Sequence, residues 1–473
     1  MQTYLFYDIE STGLNKAFDQ VLHFAAIRTD LNLEEIERYD IKVKLNPDVV
    51  PAPRATITHH IGIAESAQGL PEHQAILQIH QLLNHPGTIS LGYNTLGFDD
   101  EFLRFSFYRN LLTPYTHQFA NQCSRMDLYP IAVMYYLYKN EIIKWPEVEG
   151  KPSLKLENIN VANQLIDGRS HHAMVDVEVT LALAKHFFKA REMWDYVVSY
   201  FTKNIDQQRA QQLPFELERA GIQHYEGLML YGKIGAADLY QAPVMHLGMS
   251  LPYKNQSLWL RLDTLNLREA TTDTIAETTW AIRKKWGEPG LILPQKDRFL
   301  AHLSAERQAL VNENKAWLKA NPEIFQQIID YYRTYTYPVV QHIDIEASLY
   351  VNSFWSDDEN AFCRRFHQAK PQDKTTMTDN IRNPKLQSLA IRLLGRNYPE
   401  LLSEKQQHIF AEYMQRLNTT DESLAILDLK GEKRLSPDAA LADILVLRKE
   451  KPLDLEQQRL LDELENYIQD KFY

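Results

Sequence analysis

"YLFYDIESTGL", residues 4–14, decides how this chain is read. Strand alternation puts Tyr4, Phe6, Asp8 and Glu10 on one face and Leu5, Tyr7 and Ile9 on the other. Asp8 and Glu10 therefore point the same way, with Cβ atoms roughly 6.5–7 Å apart. Two like charges at the end of an otherwise apolar strand are unfavourable unless they are solvated, protonated or bridged by a cation. Two readings stay open on this stretch alone: a solvated strand exit with Ser11 and Gly13 in a turn, or a divalent-metal site. A third, the D-x-D-x-T of aspartyl-phosphate phosphatases, is disfavoured because Glu10 stands where that chemistry needs an Asp.

Outward from this strand, residues 1 to about 190 alternate strands and helices. "VLHFAAIRTD", "IERYDIKVKL" and "GTISLGYN" read as further strands. "EHQAILQIHQLLN", "DDEFLRFSFYRNLL" and "AMVDVEVTLALAKHFFKARE" read as helices, the last with Ala173, Val177, Leu181, Ala184 and Phe188 near the 3.6 period. This predicts an α/β domain with helices packed on a mixed sheet. From 195 to 336 shorter β-like runs ("QAPVMHLGMSLPY", "SLWLRLDTL", "GLILPQK") surround one helix-like stretch, "TDTIAETTWAIRKKW", which predicts a smaller α+β domain. From 337 to 473 the period is largely helical, ending in "LDLEQQRLLDELENYIQDKFY".

The 473-residue length calls for two or three domains, and 44% hydrophobic with 24% charged residues and 17 glycines excludes disordered and fibrous classes. Cys123 and Cys363 have no metal-type spacing, and the N-terminus lacks a leader pattern, which predicts a cytoplasmic protein. The longest apolar run, near "YPIAVMYYLY", falls well short of the roughly 20 residues of a membrane helix, so no span is expected. A net charge of −11 weighs against nucleic acid as a partner only on the sum, because binding follows local potential and bound cations.

Two more carboxylates fit the first pair. In "GYNTLGFDDEFLRF", Phe98 is expected to anchor a turn in the core and Asp99 to sit where a helix begins, either as its N-cap or as a ligand. In "SHHAMVDVEVT", His171 and Asp176 are five residues apart, ~140° around an ideal helix, so His171 is placed on the preceding loop and Asp176 in the first turns. An imidazole there suits a general base, and a pair of solvated loop histidines is the alternative. Strand ends and helix starts of α/β sheets gather at the edge where ligands bind.

The order Asp-x-Glu, then Phe-Asp, then His with Asp five residues later resembles the DEDD exonuclease superfamily, in its histidine-containing branch. "GYN…FDDE", "FYRN", "SRMDL", "KWPEVEGKPSLKLE", "HHAMVDV" and, more loosely, "LYVNSFWSD" are similar to the exonuclease I family. The resemblance implies a ribonuclease H-like exonuclease domain over 1–190, an SH3-like domain over 195–336 and a C-terminal helical domain over 337–473. It implies Asp8, Glu10, Asp99 and Asp176 as ligands of two Mg²⁺ ions, with Mn²⁺ able to substitute, His171 as general base, and Glu10 also facing substrate. Lys155 stands where the family has a DNA-contacting arginine; it keeps the charge but loses the forked grip on phosphate. His172 stands where an acidic residue is expected, and no role is assigned to it.

The implied activity is processive 3′→5′ hydrolysis of single-stranded DNA to 5′-mononucleotides, in DNA repair and recombination. The rivals are an exoribonuclease and a non-catalytic single-strand-binding protein. Arg104, Arg109, Tyr115, Phe119 and Arg125 are candidates to line the strand's channel, with ordinary surface and core as the alternative. Residues 361–399 hold eight Lys or Arg against Asp373 and Asp379, either a solvated helix face or a site for the strand or an acidic peptide. The resemblance implies as partner the acidic C-terminal tail of single-strand DNA-binding protein, and a monomeric enzyme.

Overall fold

The computed structural model describes every residue except 169, 170, 220, 352–354, 420 and 451. Ser170 of "SHHAMVDV" and residues 352–354 of "LYVNSFWSD" thus lie outside the described residues. Among the described residues the first third forms a five-stranded sheet of β1 (Thr3–Ser11), β2 (Val21–Thr29), β3 (Glu35–Lys42), β4 (Thr88–Leu91) and β5 (Ser124–Arg125), in the order β3-β2-β1-β4-β5. β1 pairs antiparallel with β2 and parallel with β4, so the sheet is mixed as expected.

The alternation of β1 is realised in packing. Tyr4 and Phe6, with Ala25 and Ile27 of β2, lie under α3 (Leu128–Tyr138) and α5 (Ala173–Phe188). Leu5, Tyr7 and Ile9, with Phe24 and Ala26, lie under α1 (Glu72–Leu83) and α2 (Asp99–Arg109). With both faces covered, all nine residues of β2 are buried. The apolar run around residue 130 is α3, a core helix. α5 buries Ala173, Val177, Leu181 and Ala184 as its period predicts, but Phe187 rather than Phe188 completes the stripe. α4 (Leu156–Asn163) lies between α3 and α5 in sequence.

The middle third departs from its sequence reading. After α6 (Lys203–Gln211) come β6 (Phe215–Arg219), β7 (Ile222–Leu230), β8 (Gln241–Met249), β9 (Ser257–Arg261), β10 (Ala281–Lys284) and β11 (Leu291–Leu293), forming a second sheet ordered β10-β9-β8-β7-β11 with β6 on β7. The helix expected over "TDTIAETTWAIRKKW" is only Ile275–Thr278, after which the chain turns into β10. The Thr278 and Thr279 hydroxyls bond back to the carbonyls of Thr274 and Ile275, a competition that ends a helix, and Ala281 and Ile282 gain more by extending the sheet. Nor is this the only helix here: α7 (Ala305–Ala320) and α8 (Pro322–Thr334) cover one face, burying Leu318, Phe325, Ile328 and Ile329 against Leu247, Leu258 and Leu260.

The last third is helical: α9 (Asp357–Gln368), α10 (Pro384–Asn397), α11 (Glu404–Gln415), α12 (Pro437–Glu450) and α13 (Leu455–Phe472). Ser356, Ser403 and Asp454 open α9, α11 and α13 with capping boxes. α10 is the hub, its Leu386, Leu389 and Leu393 sharing a core with Phe18, Phe105 and Tyr108 of the first third. No helix among the described residues is long and apolar enough to cross a membrane.

Fully buried Asp100, on the first turn of α2, joins all three parts. It accepts from Arg104, from Arg125 Nη1 at 2.6 Å and from His117 Nε2 at 2.9 Å. Arg125 Nη2 reaches Glu288 of the middle third at 3.0 Å, and the Tyr350 hydroxyl of the last third donates to neighbouring Glu101 at 3.2 Å. Burial pushes the Asp100 carboxyl up, but the Arg125 and Arg104 charges outweigh it and hold the group well below the usual carboxylate range. Asp100→Ala strands the buried Arg104 guanidinium and leaves Arg125 with Glu288 alone, so chemical denaturation is expected to show a loss of about 3–5 kcal/mol; a loss under about 1 kcal/mol, the range of a surface pair, removes the hub.

Candidate active site

β1 delivers Asp8 and Glu10 to the edge of the sheet where β4 has already ended, opposite Phe6. Beyond that point the Ile9 N–H meets Asp99 Oδ1 at 3.3 Å. Asp99 is not a cap. Phe98 occupies the N-cap position without a side-chain bond, and Asp99, the first helical residue, turns its buried carboxylate back to β1. Phe98 itself is only half-buried, packed on Phe102 with Lys16 Nζ 5.8 Å from its ring centroid. Gly92 lets the chain leave β4 here, because a Cβ would collide with the Tyr7 carbonyl oxygen and the Thr95 side chain.

α5 supplies Asp176 from its first turn. One carboxylate oxygen each from Asp8, Glu10 and Asp176 lies within 4.8 Å of the others, and no other such trio of His, Cys, Asp or Glu occurs among the described residues. His171 sits on the loop before α5 with φ 60°, the left-handed region that non-glycine residues rarely enter. Its backbone N–H donates to Asp176 Oδ2 at 3.1 Å while its side chain is exposed. His172 is the N-cap residue of α5; its carbonyl accepts from Val175 at 2.8 Å, and its ring lies edge-on, 5.4 Å from that of His23, the cross-strand partner of Glu10.

The electrostatics are those of a site lacking countercharge. Burial, then repulsion from Asp99, Glu10 and Asp176, raises the Asp8 carboxyl well above its ordinary value. Burial with Asp176 and Asp99 pushes Glu10 up to about 9. Burial brings Asp99 to about 7 against the opposing Ile9 hydrogen bond, and Asp176 to about 6 against the nearby His171. Hard oxygen donors, half-buried and crowded with negative charge, fit a divalent cation.

The remaining candidates divide. Lys155, the N-cap residue of α4, is 73% exposed at its side chain, with Nζ 3.7 Å from Glu157. Glu157 adds to the charge felt by Asp176, which places the start of α4 beside the cluster. Arg104 and Arg125 are instead committed to Asp100, and Tyr115 lies under the Arg104 guanidinium at 5.6 Å. Arg109 is buried against Glu72, with Nη1 also donating to the Asp19 carbonyl. Phe119 is 70% exposed, but its loop is tied to Gly87 at the start of β4, the end of the sheet away from the carboxylates.

Asp127, within "SRMDL", went unassigned in the sequence. It caps α3 through Tyr129 N at 2.9 Å and also accepts from Asn94 N at 2.8 Å and Leu96 N at 3.1 Å, holding the turn that leads into Asp99. Its only local signal is an Asp before an apolar helix; the long-range half of its role is invisible without the fold.

The chain matches the family model "Exonuclease" over residues 5–184 and "Exonuclease I C-terminal domain" over 343–471. It is 28% identical over 442 residues to exodeoxyribonuclease I of Escherichia coli K12, covering 89% of this chain and 90% of that one. The chain belongs to the exonuclease I family. Family likeness extends to the fold: the E. coli exonuclease I complex with a dA16 oligonucleotide aligns over the whole of both chains with a TM-score of 0.85 at 23% identity. A zinc-bound form of the E. coli exonuclease I–single-stranded DNA complex aligns as fully, with a TM-score of 0.84 at 24% identity.

In protein freed of metal, the native carboxyls hold protons that the unfolded chain releases near pH 4. Between about pH 4 and pH 9 the native state therefore binds more protons, and stability falls as pH rises through that window. The melting temperature in chelator is expected to fall between about pH 6 and pH 8.5 by at least about 2 °C more than that of Glu10→Gln, with excess Mg²⁺ closing the gap. Equal slopes for the two proteins in chelator contradict this electrostatic picture.

Proposed function

We propose that this protein is a metal-dependent 3′→5′ exonuclease that hydrolyses single-stranded DNA to 5′-mononucleotides. The observation that carries the reading is the convergence of Asp8, Glu10 and Asp176, with Asp99 alongside, in a chain that follows the exonuclease I family end to end. Asp8, Glu10, Asp99 and Asp176 would hold two Mg²⁺ ions, with Mn²⁺ as a substitute. Bound divalent cations lower the pKa of water and stabilise the departing oxygen.

The chain's own residues do the rest. Asp99 is rigid, fixed to β1 at the Ile9 N–H, whereas His171 is exposed on its loop and free to meet solvent. Its imidazole takes the proton of the attacking water as the new P–O bond forms and the bond to the 3′ oxygen breaks. Lys155 supplies a point charge to the backbone phosphate, without the geometric selectivity of a guanidinium. Glu10, at the outer end of β1, is the carboxylate placed to face the terminal nucleotide.

With 1–190 as the exonuclease domain, the 195–336 and 337–473 domains would retain the strand, giving processive action by a monomer. Of the eight cations in 361–399, Arg392 and Arg396 are buried in ion pairs and Lys374 is buried over Phe366. Arg364, Arg365, Lys370, Arg382 and Lys385 lie on exposed positions, and this face suits the acidic tail of single-strand DNA-binding protein.

Digestion of an end-labelled DNA strand with Mg²⁺ or EDTA tests polarity, product and metal need together. His171→Ala is expected to lower kcat about 10²–10⁴-fold with little change in KM. Asp176→Ala is expected to abolish turnover; wild-type rates in that variant, or faster loss of a ribo-oligomer than of DNA, refute the assignment.

A further inference from the structure

Beside the carboxylates lies a buried polar group to which the mechanism gives no task, His23. It stands on β2 directly across from Glu10, and residues opposed in an antiparallel pair share a face, with Cβ atoms roughly 4.5–5.5 Å apart. Asp8 has Ala25 in the equivalent place. One carboxylate therefore has only a methyl group beside it, which leaves room, and the next has a ring, which fills it. With 3% of its surface exposed, His23 takes up the space between Glu10 and the start of α5.

The ring is held from both sides. On β3, Asp40 stands opposite Ala25 and diagonal to His23, and its Oδ1 accepts from His23 Nε2. On the other side the His23 ring meets that of His172 edge-on, with centroids 5.4 Å apart and planes at 81°. His172 is the N-cap residue of α5, and its carbonyl accepts from the Asp176 N–H at 3.1 Å. A continuous line of contact thus runs from Asp40 through His23 and His172 to Asp176, with Glu10 flanking its middle.

That line bears on the cation. Glu10 comes from a strand and Asp176 from a helix, so their spacing is only as fixed as the contact between the two elements at this end. Repulsion between the two carboxylates works against any fixed spacing. Mg²⁺ demands near-ideal octahedral geometry, so a gap that drifts costs affinity. Without the His23 ring, the start of α5 loses its stop against the sheet.

We propose that His23 is a positioning residue for the metal centre: held by Asp40 and abutting His172, it sets the gap between Glu10 and Asp176. The proposal rests on the metal-dependent reading above. Mn²⁺ binding to the DNA-free protein, followed by the EPR signal of the free ion, tests it without turnover. His23→Ala and Asp40→Ala are each expected to weaken Mn²⁺ binding on the order of tenfold, the lower end for groups that orient metal ligands. Asp40→Asn keeps an acceptor for His23 but loses the charge, and is expected to bind nearly as the wild type does. His23→Ala combined with His172→Ala is expected to cost no more than the larger single loss, because both break one contact. Melting temperatures in chelator identify the folded variants. The Asp40 side chain is 53% exposed, so Asp40→Ala against Asp40→Asn decides the matter if His23→Ala does not fold. Undiminished Mn²⁺ binding in folded His23→Ala or in Asp40→Ala overturns the proposal. So does an equal loss in Asp40→Asn, the mark of a long-range charge effect, or additive losses in the double variant. Wild-type protein that leaves Mn²⁺ free would instead overturn the metal-dependent reading, so the two failures are distinguishable.

Discussion

Mutual repulsion among the carboxylates of one sheet edge is the constraint the rest of the structure answers to. Asp8, Glu10 and Asp176 approach within 4.8 Å, and partial burial limits how far water screens them. Left to local forces, such side chains would swing apart into solvent. They are held by backbone: β1 carries two from within a sheet packed on both faces, α5 fixes a third behind a cap at His172, and the Ile9 N–H pins Asp99. Rigid placement of like charges is what gives a cation something to gain by binding, since its charge relieves strain that the fold has already stored.

That rigidity is reinforced away from the site. Asp100, with Glu288, neutralises Arg104 and Arg125 at the base of α2, and Asp127 fixes the turn that precedes it. A second buried network ties the last third to the first: Asp48 accepts from Arg396, from Arg434 and from the Tyr413 hydroxyl, while Glu346 accepts from Arg396. Buried ion pairs of this kind add little net stability over apolar packing, but they tolerate only one arrangement of their members. Here they fix how the helical part sits on the nuclease sheet.

Legibility followed the range of the forces involved. The alternation of β1, the loop placement of His171 and the first-turn placement of Asp176 depend on periods of two and 3.6, and these are written locally. Asp99 was ambiguous because a first-turn Asp serves a helix dipole as well as a metal; only its contact with Ile9, ninety positions away, decides against a cap. Arg109 and Arg125 read as channel cations because sequence shows a charge without its partner, and their partners Glu72 and Glu288 are set by the fold, whereas the Arg104–Asp100 pair lies four residues apart on one helix and was legible in its period. The run 272–286 failed for a related reason: its helical residues were outbid by sheet pairing with β9, a tertiary gain that no window of sequence contains.

The contrast between the fixed carboxylates and the exposed His171 then has a physical rationale. A ligand must be in place before the cation arrives, so its position is best set by strands and helices. A general base must give its proton to solvent on every cycle, which a buried imidazole does poorly. Putting His171 on a left-handed loop, tethered to Asp176 through its backbone N–H, leaves the ring open to water. On the proposed reading, the same sheet edge would supply permanence at the metal and exchange at the base, with β1 and the starts of α2 and α5 creating both.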